Sequence, residues 1–276
     1  MEKQYQYKPV LFYFLVAVLT WIPWFAAIRL SYGENGEAYA SLLNLLGLLA
    51  PTATALILVF FFGTPALKAD FKDRFINLRR LSPTYLIVLF ATPPIVVFFS
   101  IWLSLFFGQS SDQFGLVGDP AGILPLIILA LILAPLIEET GWRGYGVDSL
   151  RSRMGPLGTS LWFGVLWSLW HAPLVFIKGT YHYDLANMEN PIYLANFFVS
   201  VIPVAVLANW LYYKHNRSII AGMLTHSMLN GMAVLFNATQ FTKCIVTVVY
   251  VAVAVAIIIL DRKAFSDGPR DFVHGA

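Results

Sequence analysis

Eight stretches of mostly apolar residues, at approximately 9–30, 39–62, 83–107, 121–140, 158–177, 191–213, 218–237 and 244–260, follow one another with only short connections between them. About 20 apolar residues cross the hydrocarbon of a bilayer as a helix. The chain is therefore expected to be an all-α polytopic membrane protein with about eight transmembrane helices, forming a single integral membrane domain over residues 1–276. Composition agrees, with 58% hydrophobic and 12% charged residues against about 25% charged in ordinary globular proteins. A net charge of +3 gives no support for a nucleic-acid partner. The one cysteine, Cys244, lies in an apolar run, so neither an intrachain disulfide nor a Cys-based zinc site can be built. No small-residue cleavage site follows the first apolar stretch, which is read as a retained helix.

Basic residues set the expected orientation. With a cytoplasmic N-terminus, the inner segments hold Lys3, Lys8, Lys68, Lys72, Arg74, Arg79, Arg80, Arg143, Arg151, Arg153, Lys214, Arg217, Arg262, Lys263 and Arg270, and the outer side keeps Arg29, Lys178 and Lys243. Fifteen against three fixes both termini inside and an even number of spans. The inner connection from Thr64 to Ser82 mixes Leu67, Phe71, Phe75, Ile76 and Leu78 with five basic residues; an interfacial helix and a solvated basic loop both fit. Pro51, Pro93, Pro94, Pro135, Pro173 and Pro203 fall within or near spans, where neighbouring groups must satisfy the freed carbonyls. No internal repeat is present.

Ionisable residues at membrane depth are few: Glu138 and Glu139 with Arg143 in the fourth span, His171 in the fifth, and His226, with Asn230 beside it, in the seventh. An acidic side chain at the centre of a transmembrane helix is unfavourable by roughly 2.5 to 3.5 kcal/mol, so these positions are functional candidates. Glu139 and Arg143 are four apart, acid first, the favourable order for an ion pair on one helix face. Glu138 lies about 100° round the helix from Glu139 and is free to face other spans. Glu138 is the candidate reactive carboxylate and Glu139 the structural one. His226 and Asn230, also four apart, share a face. His171 precedes Pro173, which loosens the turn there. Counted at about 1.5 Å per residue from the inner ends, Glu138 lies a few residues in, His226 roughly 13 Å and His171 roughly 20 Å.

At these residues the chain resembles the CAAX-protease and bacteriocin-processing family of intramembrane proteases, which includes the eukaryotic Ras-converting endoprotease. Two glutamates, three residues and an arginine are met by Glu138-Glu139-Thr-Gly-Trp-Arg143. An aromatic, three residues and a histidine are met by Trp167-Ser-Leu-Trp-His171, with Trp where Phe is usual and expected to act as a packing wall. A histidine, three residues and an asparagine are met by His226-Ser-Met-Leu-Asn230. The match covers a catalytic core of about 120–235. It implies a conical intramembrane cavity open to the cytoplasm and peptide-bond hydrolysis near that face. Glu138, assisted by His171, would activate a water, and His226 with Asn230 would stabilise the oxyanion. Zinc could be held by Glu138, His171 and His226 with an open position for water; the metal-free mechanism also attributed to the family is favoured, with no cofactor required.

The implied partners are the bilayer and a CAAX-type prenylated protein or membrane peptide, with no nucleic acid. No sequence feature sets an oligomeric state. A secondary transporter would carry internal symmetry and a polar path to both faces, and neither is present. A catalytically silent membrane partner, such as a bacteriocin-immunity protein, is the alternative that the family also contains; the intact motifs argue against it. A prokaryotic cell membrane is the expected location, or the endoplasmic reticulum in a eukaryote.

Overall fold

The computed structural model describes residues 5–34, 36–118, 122, 124–270 and 272. Lys3, the start of the fourth apolar stretch at 121 and the start of the core at 120 lie outside the described residues. The helices are α1 (Pro9–Ser31), α2 (Glu37–Leu48), α3 (Ala50–Phe60), α4 (Pro65–Ile76), α5 (Pro83–Leu105), α6 (Leu124–Ile128), α7 (Ala134–Gly141), α8 (Val147–Arg151), α9 (Pro156–Trp170), α10 (Tyr181–Ala186), α11 (Ile192–Lys214), α12 (Ile219–Leu235), α13 (Gln240–Leu260) and α14 (Arg262–Ser266). Their starts follow from local chemistry. Proline opens α1, α4, α5 and α9, where its missing N–H costs nothing. Thr64, Ser218 and Thr239 cap α4, α12 and α13 by accepting from the N–H three residues on.

All eight expected stretches are helical. Among the described residues six helices are long and apolar enough to cross a membrane: Pro9–Ser31, Glu37–Phe60, Pro83–Leu105, Leu124–Arg151, Ile192–Lys214 and Gln240–Leu260. The fifth and seventh stretches are shorter. Helix α9 has 15 residues and α12 has 17, roughly 22 and 25 Å of rise against about 30 Å of hydrocarbon. Helix α9 was expected to reach 177. It ends at Trp170 because Pro173 cannot continue the ladder, and a 3₁₀ segment, Ala172–Phe176, follows. Helix α13 turns most of its surface outward, with Thr242, Thr247, Tyr250 and Ala254 as its buried face, in keeping with a lipid-facing eighth span.

The fourth span departs furthest from expectation. It does not stop near residue 140 but runs to Arg151 as α6, α7 and α8, joined by two π-helical turns, Leu129–Leu133 and Trp142–Gly146. If its apolar start marks the hydrocarbon edge, about 30 Å of bilayer is crossed by roughly residue 143. The remaining turns lie in a polar cluster.

That cluster settles the Thr64–Ser82 connection as a packed helix, α4, with Leu67, Phe71 and Arg74 buried. Arg74 Nε meets Asp70 Oδ2 at 2.8 Å and Arg74 Nη1 meets Asp148 Oδ2 at 3.2 Å. Arg217 Nη2 reaches Asp148 Oδ2 at 2.6 Å and Asp70 Oδ2 at 2.9 Å. The Tyr212 hydroxyl donates to Asp148 Oδ2 at 3.0 Å. Two acids and two arginines thus tie α4, α8, α11 and the start of α12 together. Breaking one partner of a buried pair leaves an uncompensated charge, the costly half of such an interaction.

Burial pushes the Asp70 carboxyl up, but Arg74 and Arg217 outweigh it and hold the group below the usual carboxylate range. A carboxyl depressed in the folded state contributes stability above its unfolded value, and loses it as pH falls through the folded one. Asp70→Asn is therefore expected to lower stability by on the order of 2 kcal/mol at neutral pH, between the exposed-pair and buried-pair limits. The difference from wild type should shrink progressively below about pH 4, the unfolded carboxyl value; thermal unfolding of detergent-solubilised protein across that range checks it.

Candidate active site

Pro135, at the second position of α7, governs the geometry around the two glutamates. It has no N–H, so it cannot bond Leu131 O as an α-turn or Ala130 O as a π-turn. Ala134 N–H bonds Leu129 O across the wider turn. The two carbonyls are taken instead by α12: Ser227 Oγ donates to Leu131 O at 2.6 Å and Asn230 Nδ2 to Ala130 O at 2.9 Å. The second π turn contains no proline, but its carbonyls too meet a side chain from another helix. Arg74 Nη1 donates to Arg143 O at 2.8 Å and Nη2 to Gly144 O at 2.9 Å. The glutamates therefore sit on one ordinary helical segment between two irregular turns, each pinned by a different helix.

Glu139 and Arg143 form the ion pair that their spacing favours, Nη1 to Oε1 at 2.7 Å, with each side chain 1% exposed. The same Oε1 accepts from His226 Nδ1 at 3.0 Å. The arginine also lies 4.8 Å from the centre of the Phe163 ring and 5.7 Å from that of Trp167, a cation over aromatic faces in a dry setting. Close approach of α12 is what permits this. A Cβ at Gly222 would stand 2.9 Å from Glu139 Oε2 and 3.3 Å from Arg143 Cγ. On the opposite side a Cβ at Gly141 would stand 2.4 Å from the Pro51 carbonyl carbon of α3.

Glu138 faces elsewhere, as its angular offset requires, but its partners differ from those expected. Its Oε2 accepts two indole N–H groups, from Trp167 at 3.0 Å and Trp142 at 3.2 Å. It makes no hydrogen bond to His171, His226 or Asn230 among the described residues. Trp167, expected to be a packing wall, is instead a hydrogen-bond donor to the candidate base, a role that Phe could not fill. Trp167 also joins the set sterically, its ring centroid 5.4 Å from that of His226 and 6.2 Å from that of His171.

The tautomers follow from the acceptors. His226 Nδ1 meets a carboxylate and His171 Nδ1 meets Trp167 O at 2.7 Å. Both are acceptors only, so each Nδ1 carries its proton. Each Nε2 is left to act. His171, His226, Asn230 and Trp167 line one cavity of about 630 Å³, while Glu138 is not part of its wall. The cavity passes Val97, Val204 and Tyr250 between α5, α11 and α13 and continues to Tyr181 and Lys243. This lining extends toward the end of the bundle opposite the Arg74–Arg217 cluster, whereas the sequence reading places the opening with the basic segments.

Glu138, His171 and His226, the donors named for zinc, are not drawn together as a group. Among the described residues no three His, Cys, Asp or Glu side chains are grouped to hold a metal ion. One Glu138 oxygen is engaged by two indoles, and His226 turns its Nδ1 to Glu139. Sequence reasoning missed three neighbours. Trp142, four residues after Glu138, was legible by the same spacing rule that paired Glu139 with Arg143. His182 on α10 stacks on His171 with centroids 5.5 Å apart and 24° between planes, and Ser227 lies within the third motif. Nothing in the spacing of His182 connects it to a span.

Residues 120–232, which hold every one of these motif residues, match the family model described as type II CAAX prenyl endopeptidase Rce1-like. Over 268 residues the chain is 38% identical to CAAX prenyl protease 2 of Methanococcus maripaludis, an alignment spanning 96% of this chain and 98% of that protein.

Proposed function

We propose that this chain, which belongs to the Rce1-like type II CAAX prenyl endopeptidase family, hydrolyses a peptide bond of a prenylated protein or membrane peptide inside the bilayer, acting as a single membrane domain. Glu138 is the general base that activates a water, and His171 assists from its bare Nε2. His226 and Asn230 stabilise the oxyanion. The observation that carries this reading is Trp167: one indole donates to Glu138 and packs against both histidines, so residues of three spans answer to one side chain.

The oxyanion role has a condition. His226 Nδ1–H is already given to Glu139, so donation from Nε2 requires the doubly protonated ring. The Glu139 carboxylate is the counter-ion that favours it. Asn230 spends one amide hydrogen on Ala130 O and keeps a second. Preorganised donors in a water-poor cavity contribute several kcal/mol to such a step. The reading routes no step through a metal.

Glu138→Gln is expected to lower kcat on a prenylated peptide by about 10² to 10⁴, the usual range for a general base. Glu139→Gln is expected to retain measurable turnover while weakening the His226 contribution by roughly tenfold to a hundredfold. Wild-type rates from Glu138→Gln would end the assignment. Activity of purified protein is expected to survive EDTA, and stoichiometric zinc whose removal abolishes turnover would reverse the metal-free reading. One observation favours the silent-partner alternative, the absence of Glu138 from the cavity wall; folded wild-type protein that cleaves none of a panel of prenylated and membrane peptides would move the assignment there.

The protein is proposed to be a multi-pass protein of a prokaryotic cell membrane, and the basic-residue bias supports both termini being cytoplasmic. The apolar portion of the substrate then enters laterally between α5, α11 and α13. A reporter that is active only in the cytoplasm, fused after Ala276, is expected to be active; activity confined to an outer-face reporter would invert the orientation.

A further inference from the structure

The cavity that holds Trp167, His171, His226 and Asn230 has an uneven charge pattern. Among its described lining residues there is no aspartate or glutamate, and Lys243 is the one lysine or arginine. Among the described residues Lys243 forms no ion pair. Its Nζ lies 3.4 Å from the Tyr181 hydroxyl and 4.9 Å from the centre of that ring, and the hydroxyl in turn donates to Gln240 Oε1 at 3.1 Å. Tyr181 holds the ammonium in place, and no described carboxylate neutralises it. It stands in the first turn of α13, where the aligned peptide dipoles add positive potential.

A CAAX-type substrate, the class taken from the proposed function above, ends in a free α-carboxylate three residues beyond the prenylated cysteine. Three extended residues reach about 10 Å, within the scale of a cavity of about 630 Å³. A carboxylate taken into a wall of valine, tyrosine and phenylalanine without a cation would be strongly disfavoured. We infer that Lys243 binds the C-terminal carboxylate of the substrate, so that the cavity measures distance from the chain end as well as accepting the apolar group. Lys243 is then a specificity-determining residue, and a peptide whose end is amidated is a poor substrate. The bland role for such a lysine is to snorkel its ammonium to the membrane surface, which predicts no dependence on the peptide terminus.

The test uses the full chain in lipid nanodiscs and two prenylated peptides identical except for a C-terminal carboxylate or carboxamide. Wild type is expected to prefer the carboxylate by roughly tenfold to a hundredfold in kcat/KM, the range of a charge-assisted contact. In Lys243→Gln the preference should fall to within about twofold of unity, and in Lys243→Arg, which restores the charge, most of it should return. Binding of the same pair to Glu138→Gln protein reads recognition without turnover, and the carboxylate peptide should bind more tightly by a similar factor. An equal response of wild type to both peptides, or a preference undiminished in Lys243→Gln, overturns the inference. Absence of cleavage by wild type would instead strike the endopeptidase reading, while the binding comparison still decides on Lys243.

Discussion

A single oxygen, Glu139 Oε1, organises the interior. It accepts from Arg143 Nη1 at 2.7 Å and from His226 Nδ1 at 3.0 Å, and so fixes α7 against α12 by a contact that neither helix can release cheaply. A carboxylate buried to 1% exposure needs both the opposite charge and the hydrogen bonds to be tolerable. Among the described residues the Nε and Nη2 of Arg143 have no hydrogen-bond partner, and the faces of Phe163 and Trp167 on α9 take up that deficit. The three helices that contribute motif residues are thereby locked to one charge.

Around that charge the main chain is irregular for a reason that starts with Pro135. Its missing N–H converts a stretch of helix into acceptors, and α12 answers with Ser227 and Asn230. Asn230 therefore has a structural duty alongside the proposed chemical one. Two functions in one carboxamide explain why a small change there would be felt twice, once in the packing of the fourth span and once in the cavity.

Much of this was legible in the sequence, for identifiable reasons. Hydropathy locates the spans because a bilayer imposes a length, and helical spacing pairs Glu139 with Arg143 because both lie on one element. What failed to show was tertiary. The continuation of the fourth span to Arg151 was hidden because Trp142–Arg143–Gly144–Tyr145–Gly146 reads as the end of a membrane helix, whereas here it is a π turn whose carbonyls are satisfied by Arg74 from a different segment. The indole of Trp167 was assigned to packing because nothing in its spacing revealed a carboxylate 29 residues earlier in the chain at 3.0 Å. His182, from the short helix α10 between α9 and α11, reaches His171 only through folding.

The grip of Arg74 on the second π turn has a consequence for how this protein varies. Arg74 addresses the carbonyls of Arg143 and Gly144, not their side chains. Every residue type offers the same carbonyl, so exchange at 143 or 144 cannot compensate for loss of the guanidinium at 74. Paired substitution across aligned sequences is a signature of side chains that answer each other, and this contact leaves none. Positions 74 and 144 touch, yet each is constrained for a separate reason, one by the carbonyls its guanidinium must reach and the other by the space that Phe71 leaves beside it.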